Sequence, residues 1–279
     1  VTATEQDLRE QWETHGYAFP VPLLEPEEAA ELLAALRRHK EISRRVGGRV
    51  AQRWNSPKIH LLAPWADRLV RDDRLLDVVS RLIGPDLLVW STTVFTRRAG
   101  SAERLAWHQD ALHYGWANPR GTAVRVWLAL TEAGPENGTM RFLPGPHNRT
   151  LVPHRRSAAG LAHGLEVDLD IDEESAVDVR LRPGQASLHT PTTVHSSGPS
   201  AAVTDRVCFA VDYISPALHQ LPGPDSALLV RGEARPGSFA LEEPPESEYS
   251  AASLRRFHEA VALRDRHFLA VTRTAAGAR

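Results

Sequence analysis

His108-Gln109-Asp110 sets an imidazole and a carboxylate two residues apart, a spacing from which one stretch of chain can hold a metal ion. The chain has 13 histidines. At that frequency such a triplet arises by chance on the order of once, so its setting must carry the argument. Side chains two apart share a face of a strand but diverge on a helix, so His-x-Asp chelates one ion only from extended backbone. The triplet follows a strand-like run ending near Arg98, and no helical period surrounds it. His39-Lys40-Glu41 repeats the spacing at the end of a predicted helix, where we expect a solvated charge cluster and no metal.

Two neutral imidazoles and one carboxylate on one face of an octahedral ion leave three positions open, the arrangement of iron(II) oxygenases that bind O2 and a co-substrate together. A second histidine is therefore required. His195 fits, because residues 184–189 read as a strand, Pro191-Thr192-Thr193-Val194 returns the chain, and Ser196-Ser197-Gly198-Pro199 ends it. His189 is the rival ligand. Arg206, eleven residues on, opens the last strand. Its planar fork of donors matches a carboxylate and would anchor the far end of 2-oxoglutarate, although an ion pair with Asp205 satisfies the same spacing.

The elements that must position these residues fall into three stretches. Residues 1–86 read as helical: Thr4 caps a helix over 5–14 stopped at Gly16, and Pro26 opens a second carrying Leu32, Leu33 and Leu36 on one side. Leu75, Leu76, Val79 and Leu82 stripe a third over 73–82, stopped by Gly84-Pro85. Residues 87–216 change to short runs rich in β-branched and aromatic residues, at 88–97, 123–131, 140–143, 177–181, 185–189 and 207–214, separated by turns such as Glu136-Asn137-Gly138. Many short strands with turn signals predict an antiparallel sandwich or barrel. Residues 217–248 are rich in Pro, Gly and Glu and read as loop, with a last helix over 250–271. We expect one domain over 1–279, mainly β with flanking helices.

The chain is 42% apolar and 24% charged, enough for a sizeable core. A net charge of −2 and no basic stripe argue against nucleic acid as a partner. The single cysteine, Cys208, precludes an intramolecular disulfide, and neither a membrane-spanning stretch nor a signal-peptide pattern is present, so a cytoplasmic protein is expected. Of 33 basic residues only Lys40 and Lys58 are lysines, a bias that suggests a GC-rich bacterial genome.

Six blocks in order resemble the phytanoyl-CoA dioxygenase family of Fe(II)/2-oxoglutarate oxygenases, in its bacterial branch. They are Gly16-Tyr17 before a Pro-Glu-Glu helix start, Lys58 to Trp65, Gly84 to Leu88, Trp107-His108-Gln109-Asp110, Pro135 to Gly145, and Val194 to Pro199 with Arg206. The resemblance implies a double-stranded β-helix, a cupin-like jelly roll. It implies His108, Asp110 and His195 as iron ligands and Arg206 as the anchor for the C5 carboxylate. It further implies Gln109, Trp127 and Ser197 as lining of that pocket, and Lys58 as a second cation near co-substrate or substrate, for which a surface lysine is the plainer alternative. The chain departs from relatives at His113-Tyr114-Gly115-Trp116, where an aromatic Tyr-Trp pair is common, and at Pro146, where a small hydroxyl residue is common.

The expected activity is therefore oxidation of an aliphatic C–H bond, most simply hydroxylation, with Fe(II), 2-oxoglutarate and O2, releasing succinate and CO2. A halogenase is disfavoured because such relatives lack the metal carboxylate. A zinc hydrolase would leave Arg206 without a purpose, and a non-catalytic jelly roll would need no intact ligand set. A phosphonate or acyl-CoA substrate is the alternative to a small polar metabolite of specialised metabolism, such as antibiotic biosynthesis. Substrate contacts are expected from His113, Tyr114, Trp116 and Arg120, because loops at a barrel mouth carry specificity. A solvated loop with Trp116 packed on the barrel rim is the competing reading.

Overall fold

The computed structural model describes residues 5–47, 57–116, 119–157, 164–220, 225–235 and 239–277; Thr4, the expected first cap, lies outside them. In chain order the elements begin with helix α1 (Glu5–His15), strand β1 (Tyr17–Pro22), helices α2 (Pro26–Gly47), α3 (Pro64–Val70) and α4 (Asp73–Ile83), strands β2 (Leu87–Arg97) and β3 (Leu105–His108), and the short helix α5 (Ala111–Tyr114). Strands β4 (Ala123–Ala129), β5 (Met140–Phe142), β6 (His154–Arg156), β7 (Leu165–Val167), β8 (Val177–Asp178), β9 (Gln185–His189), β10 (His195–Ser197), β11 (Arg206–Ile214), β12 (Ser226–Arg231) and β13 (Ala240–Leu241) follow, and helix α6 (Ala251–Gly277) closes the chain. Two compact units alternate along the sequence: 1–30, 95–112 and 125–208 form one, and 31–94, 113–124 and 209–279 the other.

The first unit holds a four-stranded antiparallel sheet in the order β3-β10-β5-β8 and the run β1-β9-β4. Central β10 brings His195 opposite both His108 and Phe142. Gly138, in the left-handed region at φ 67°, ends the turn before β5, and a Cβ there would lie 2.5 Å from Gly198 O. Only glycine meets both demands. A buried amide fastens the chain around the ligand strands. Asn148 Nδ2 donates to His15 O and Leu143 O, while its Oδ1 accepts from Val194 N just ahead of His195.

In the second unit β12 pairs antiparallel with β2 and parallel with β13. Asp72 caps α4 by accepting from Arg74 N, and Leu75, Leu76 and Val79 are buried as their spacing predicts; Ile83 takes the buried place expected for Leu82. Helix α6 buries Phe257, Ala260 and Val261 against Leu61 and Leu62.

Three stretches differ from the sequence reading. β1 lies in a region read as helical; its Pro20 and Pro22 hide a strand that sits at the edge of the strand order, where a missing N–H costs least. β12 and β13 lie in the stretch read as loop, and the β6–β7 pair carries no alternating pattern. His39 is no solvated charge: it is fully buried, stacked on Tyr249 with ring centroids 5.2 Å apart, while Glu41 is exposed on another face of α2.

Candidate functional site

β3 ends at His108 and β10 begins at His195, and the cross-strand pair brings their rings to a centroid distance of 4.1 Å. Asp110 follows two residues later in a turn fixed by Ala111 N donating to Pro191 O over 2.8 Å. One ligand atom from each of His108, Asp110 and His195 lies within 4.8 Å of the others, and among the described residues no other group of His, Cys, Asp and Glu does this. His108 Nδ1 bonds Ala106 O at 2.8 Å and His195 Nδ1 bonds Thr193 O at 2.9 Å. A carbonyl only accepts, so each Nδ1 carries the proton and each Nε2 keeps its lone pair for a cation. Two such imidazoles with a carboxylate are the donor set that suits iron(II).

Asp110 is held from its far side. Arg125, on β4, donates to Oδ2 over 2.5 Å, while Oδ1 lies 3.6 Å from His108 Nε2. Burial opposes ionisation of Asp110, but Arg125 and the neighbouring imidazoles outweigh it and hold the carboxyl well below the usual range. Burial, then His108, pushes His195 down to about 3. Burial and the nearby His195 and Arg125 likewise keep His189 neutral.

A second constellation sits on β11, β2, β4 and β10. The Arg206 guanidinium lies over the Trp127 ring, 5.0 Å from its centroid, and Arg97 donates to Ser197 Oγ over 2.8 Å. Both arginines are buried, and among the described residues neither Nε has a hydrogen-bond partner. Burial lowers the pKa of each, and Arg97 lowers that of Arg206 further. Paired guanidinium groups with unspent donors fit the far carboxylate of a dicarboxylate such as 2-oxoglutarate. Asp205 does not compete, since it faces Arg98 and accepts from Ala99 N.

Several expected site residues lie elsewhere. Gln109 is fully buried, with its amide nitrogen donating to Thr192 O and Thr150 O and its oxygen accepting from Val152 N. It therefore staples loops rather than lining the co-substrate pocket, because the residue between two ligands on extended chain faces the opposite way. Lys58 is fully buried in the second unit. Its ammonium donates to Trp90 O, Ser226 O and Glu242 Oε1, which uses all three N–H groups. It is neither the surface lysine nor the second cation; Arg97 holds the place beside Arg206. Tyr114 and Trp116 pack on Trp90 in the second unit's core, with ring centroids 4.7–4.8 Å apart, and are neither a solvated loop nor exposed to a ligand. His113 and Arg120 are half-buried in the same segment. Arg97 and Arg125 were missed. Arg125 left one sign: a charge inside an apolar strand, on the same face as Trp127 two residues on.

The chain matches the phytanoyl-CoA dioxygenase (PhyH) family over residues 12–208. The ectoine dioxygenase of Nocardia farcinica (strain IFM 10152) is 27% identical over 150 residues, 50% of this chain and 49% of that protein. The match thus spans about half the length of the curated relatives. Among solved structures, apo ThoJ, a non-heme monooxygenase, is 44% identical with a TM-score of 0.89 over 96% of this chain and 100% of that one. CytC3 with Fe(II) and alpha-ketoglutarate is 22% identical with a TM-score of 0.65 over 89% of this chain and 99% of that one, a likeness of fold. The β-core is accordingly the cupin-like jelly roll, with flanking helices. The family match runs from α1 through every ligand-bearing strand to Arg206, and the chain belongs to the phytanoyl-CoA dioxygenase (PhyH) family.

Proposed function

We propose that the protein is an Fe(II)- and 2-oxoglutarate-dependent oxygenase that oxidises an aliphatic C–H bond of a small polar metabolite and releases succinate and CO2. The observation that carries this reading is the convergence of one ligand atom each from His108, Asp110 and His195 within 4.8 Å. Iron and the keto acid supply the O2 chemistry when bound. The chain's own residues hold and orient. His108 and His195 present their Nε2 atoms, the rings oriented by Nδ1 bonding to Ala106 O and Thr193 O. Arg125 occupies one oxygen of Asp110 and leaves the other for the ion. Arg206 and Arg97 take the C5 carboxylate, with Trp127 and Ser197 fixing the two guanidinium groups. Burial of these donors strengthens each contact by excluding water.

The proposal assigns 1–279 to one dioxygenase domain, places it in the cytoplasm, and keeps His113 and Arg120 as substrate contacts. The relative named ectoine dioxygenase supports a small-molecule substrate. Replacing Arg206 by alanine is expected to raise the 2-oxoglutarate requirement by about 2–5 kcal/mol, because a buried anion loses its partner. Arg206→Lys recovers only part, since one ammonium cannot reproduce the fork. Michaelis constants for 2-oxoglutarate, read from succinate formation, decide it: no change in either variant removes Arg206 from the site.

A further inference from the structure

β9 carries two polar side chains that find no hydrogen-bond partner among the described residues. Ser187 is fully buried with no partner for Oγ, and His189, 1% exposed, has no partner for either ring nitrogen. Buried polar groups are almost always hydrogen-bonded, so two orphans two residues apart on one strand face call for a common explanation. Their cross-strand partners supply it. Ser187 stands opposite Trp127, over which Arg206 lies, and His189 stands opposite Arg125, which bonds Asp110. Directly paired residues share a face, so Ser187 belongs to the arginine end of the site and His189 to the metal end. The His189 ring centroid is 5.4 Å from that of His195, yet His189 is outside the converging ligand group.

We infer that His189 and Ser187 are co-substrate-binding residues. His189, whose ring carries an N–H donor in either protonation state, donates to the carboxylate that 2-oxoglutarate carries at the metal end. The Ser187 hydroxyl donates to the carboxylate at the Arg206 end. β9 is thus a polar rail along the length of the co-substrate, an assignment that rests on the proposed use of 2-oxoglutarate.

The test is an anaerobic titration of the Fe(II)-loaded protein with 2-oxoglutarate, followed by the visible charge-transfer absorption of the complex, with Fe(II) affinity measured in parallel. No saturable binding by the unsubstituted protein sinks the co-substrate reading itself, a result separate from any variant. His189→Phe and Ser187→Ala are each expected to weaken 2-oxoglutarate roughly tenfold, the equivalent of one hydrogen bond to a charged group, with Fe(II) affinity within about twofold. His189→Gln keeps an N–H donor and recovers part of the loss; it also carries the test should the phenylalanine variant fail to fold. A second titration uses 2-oxobutanoate, which has the chelating end without the far carboxylate. His189→Phe weakens it and Ser187→Ala does not. Unchanged 2-oxoglutarate affinity in both variants, or Fe(II) affinity lost in His189→Phe, overturns the inference.

Discussion

Arg125 and Asp110 form a buried ion pair directly behind the metal position, so the carboxylate has two possible cationic partners, one permanent and one exchangeable. Removing one partner of such a pair costs about 3–5 kcal/mol because the other charge is left buried and alone. Arg125→Gln is therefore expected to destabilise the metal-free protein by about that amount and the Co(II)-loaded protein by clearly less, since the ion then supplies the missing charge. Urea midpoints with and without Co(II) check it; an equal loss in both states would mean that the two cations do not share Asp110. His108→Ala, Asp110→Ala and His195→Ala should each abolish metal binding and turnover while far-ultraviolet circular dichroism stays near that of the unsubstituted protein. The three ligands were legible in sequence because residue type and spacing carry their chemistry. Arg97 was not, since Arg97-Arg98 gives no sign of which guanidinium turns inward.

Lys58 illustrates what an element can conceal. It stands in the left-handed region at φ 56°, held by its N–H to Thr92 O, and its side chain crosses to Ser226 and Glu242 in a segment that composition marks as loop. Burial opposes ionisation of Glu242, and Lys58 and His60 outweigh it. Lys58→Met is expected to cost about 3–5 kcal/mol by leaving Glu242 uncompensated, with the Michaelis constant for 2-oxoglutarate unchanged. A shifted constant would return Lys58 to the co-substrate. Helix α4 and strands β2, β9 and β11 were readable because periodicity, caps and turn residues agree over each of them. β12 was not: its pairing partner β2 lies more than a hundred residues away in sequence, and local composition says nothing of that contact. Gln109 was misread for a similar reason, since its partners lie in loops 41 and 83 residues distant.

At the scale of the molecule, three fully buried histidines, His60, His189 and His195, all have pKa values lowered chiefly by burial. In the unfolded chain each returns to an ordinary value near 6.5, so below that pH the unfolded state binds protons that the folded state refuses. The metal-free protein should hold its stability above about pH 6.5 and lose it as the pH falls, by up to about 1.4 kcal/mol per unit for each imidazole. Urea midpoints at pH 7.5 and 5.5 measure this, and equal midpoints would show that these imidazoles titrate freely in the folded chain. The enclosure of Lys58 has a different use. The chain has only two lysines, and the ammonium of this one is tied to three acceptors with no solvent contact. A brief pulse of an acylating reagent should therefore modify Lys40 in the native protein and reach Lys58 only in molecules whose second unit has opened. The mass of one peptide then counts the opened fraction, without a dye, a tag or an introduced cysteine.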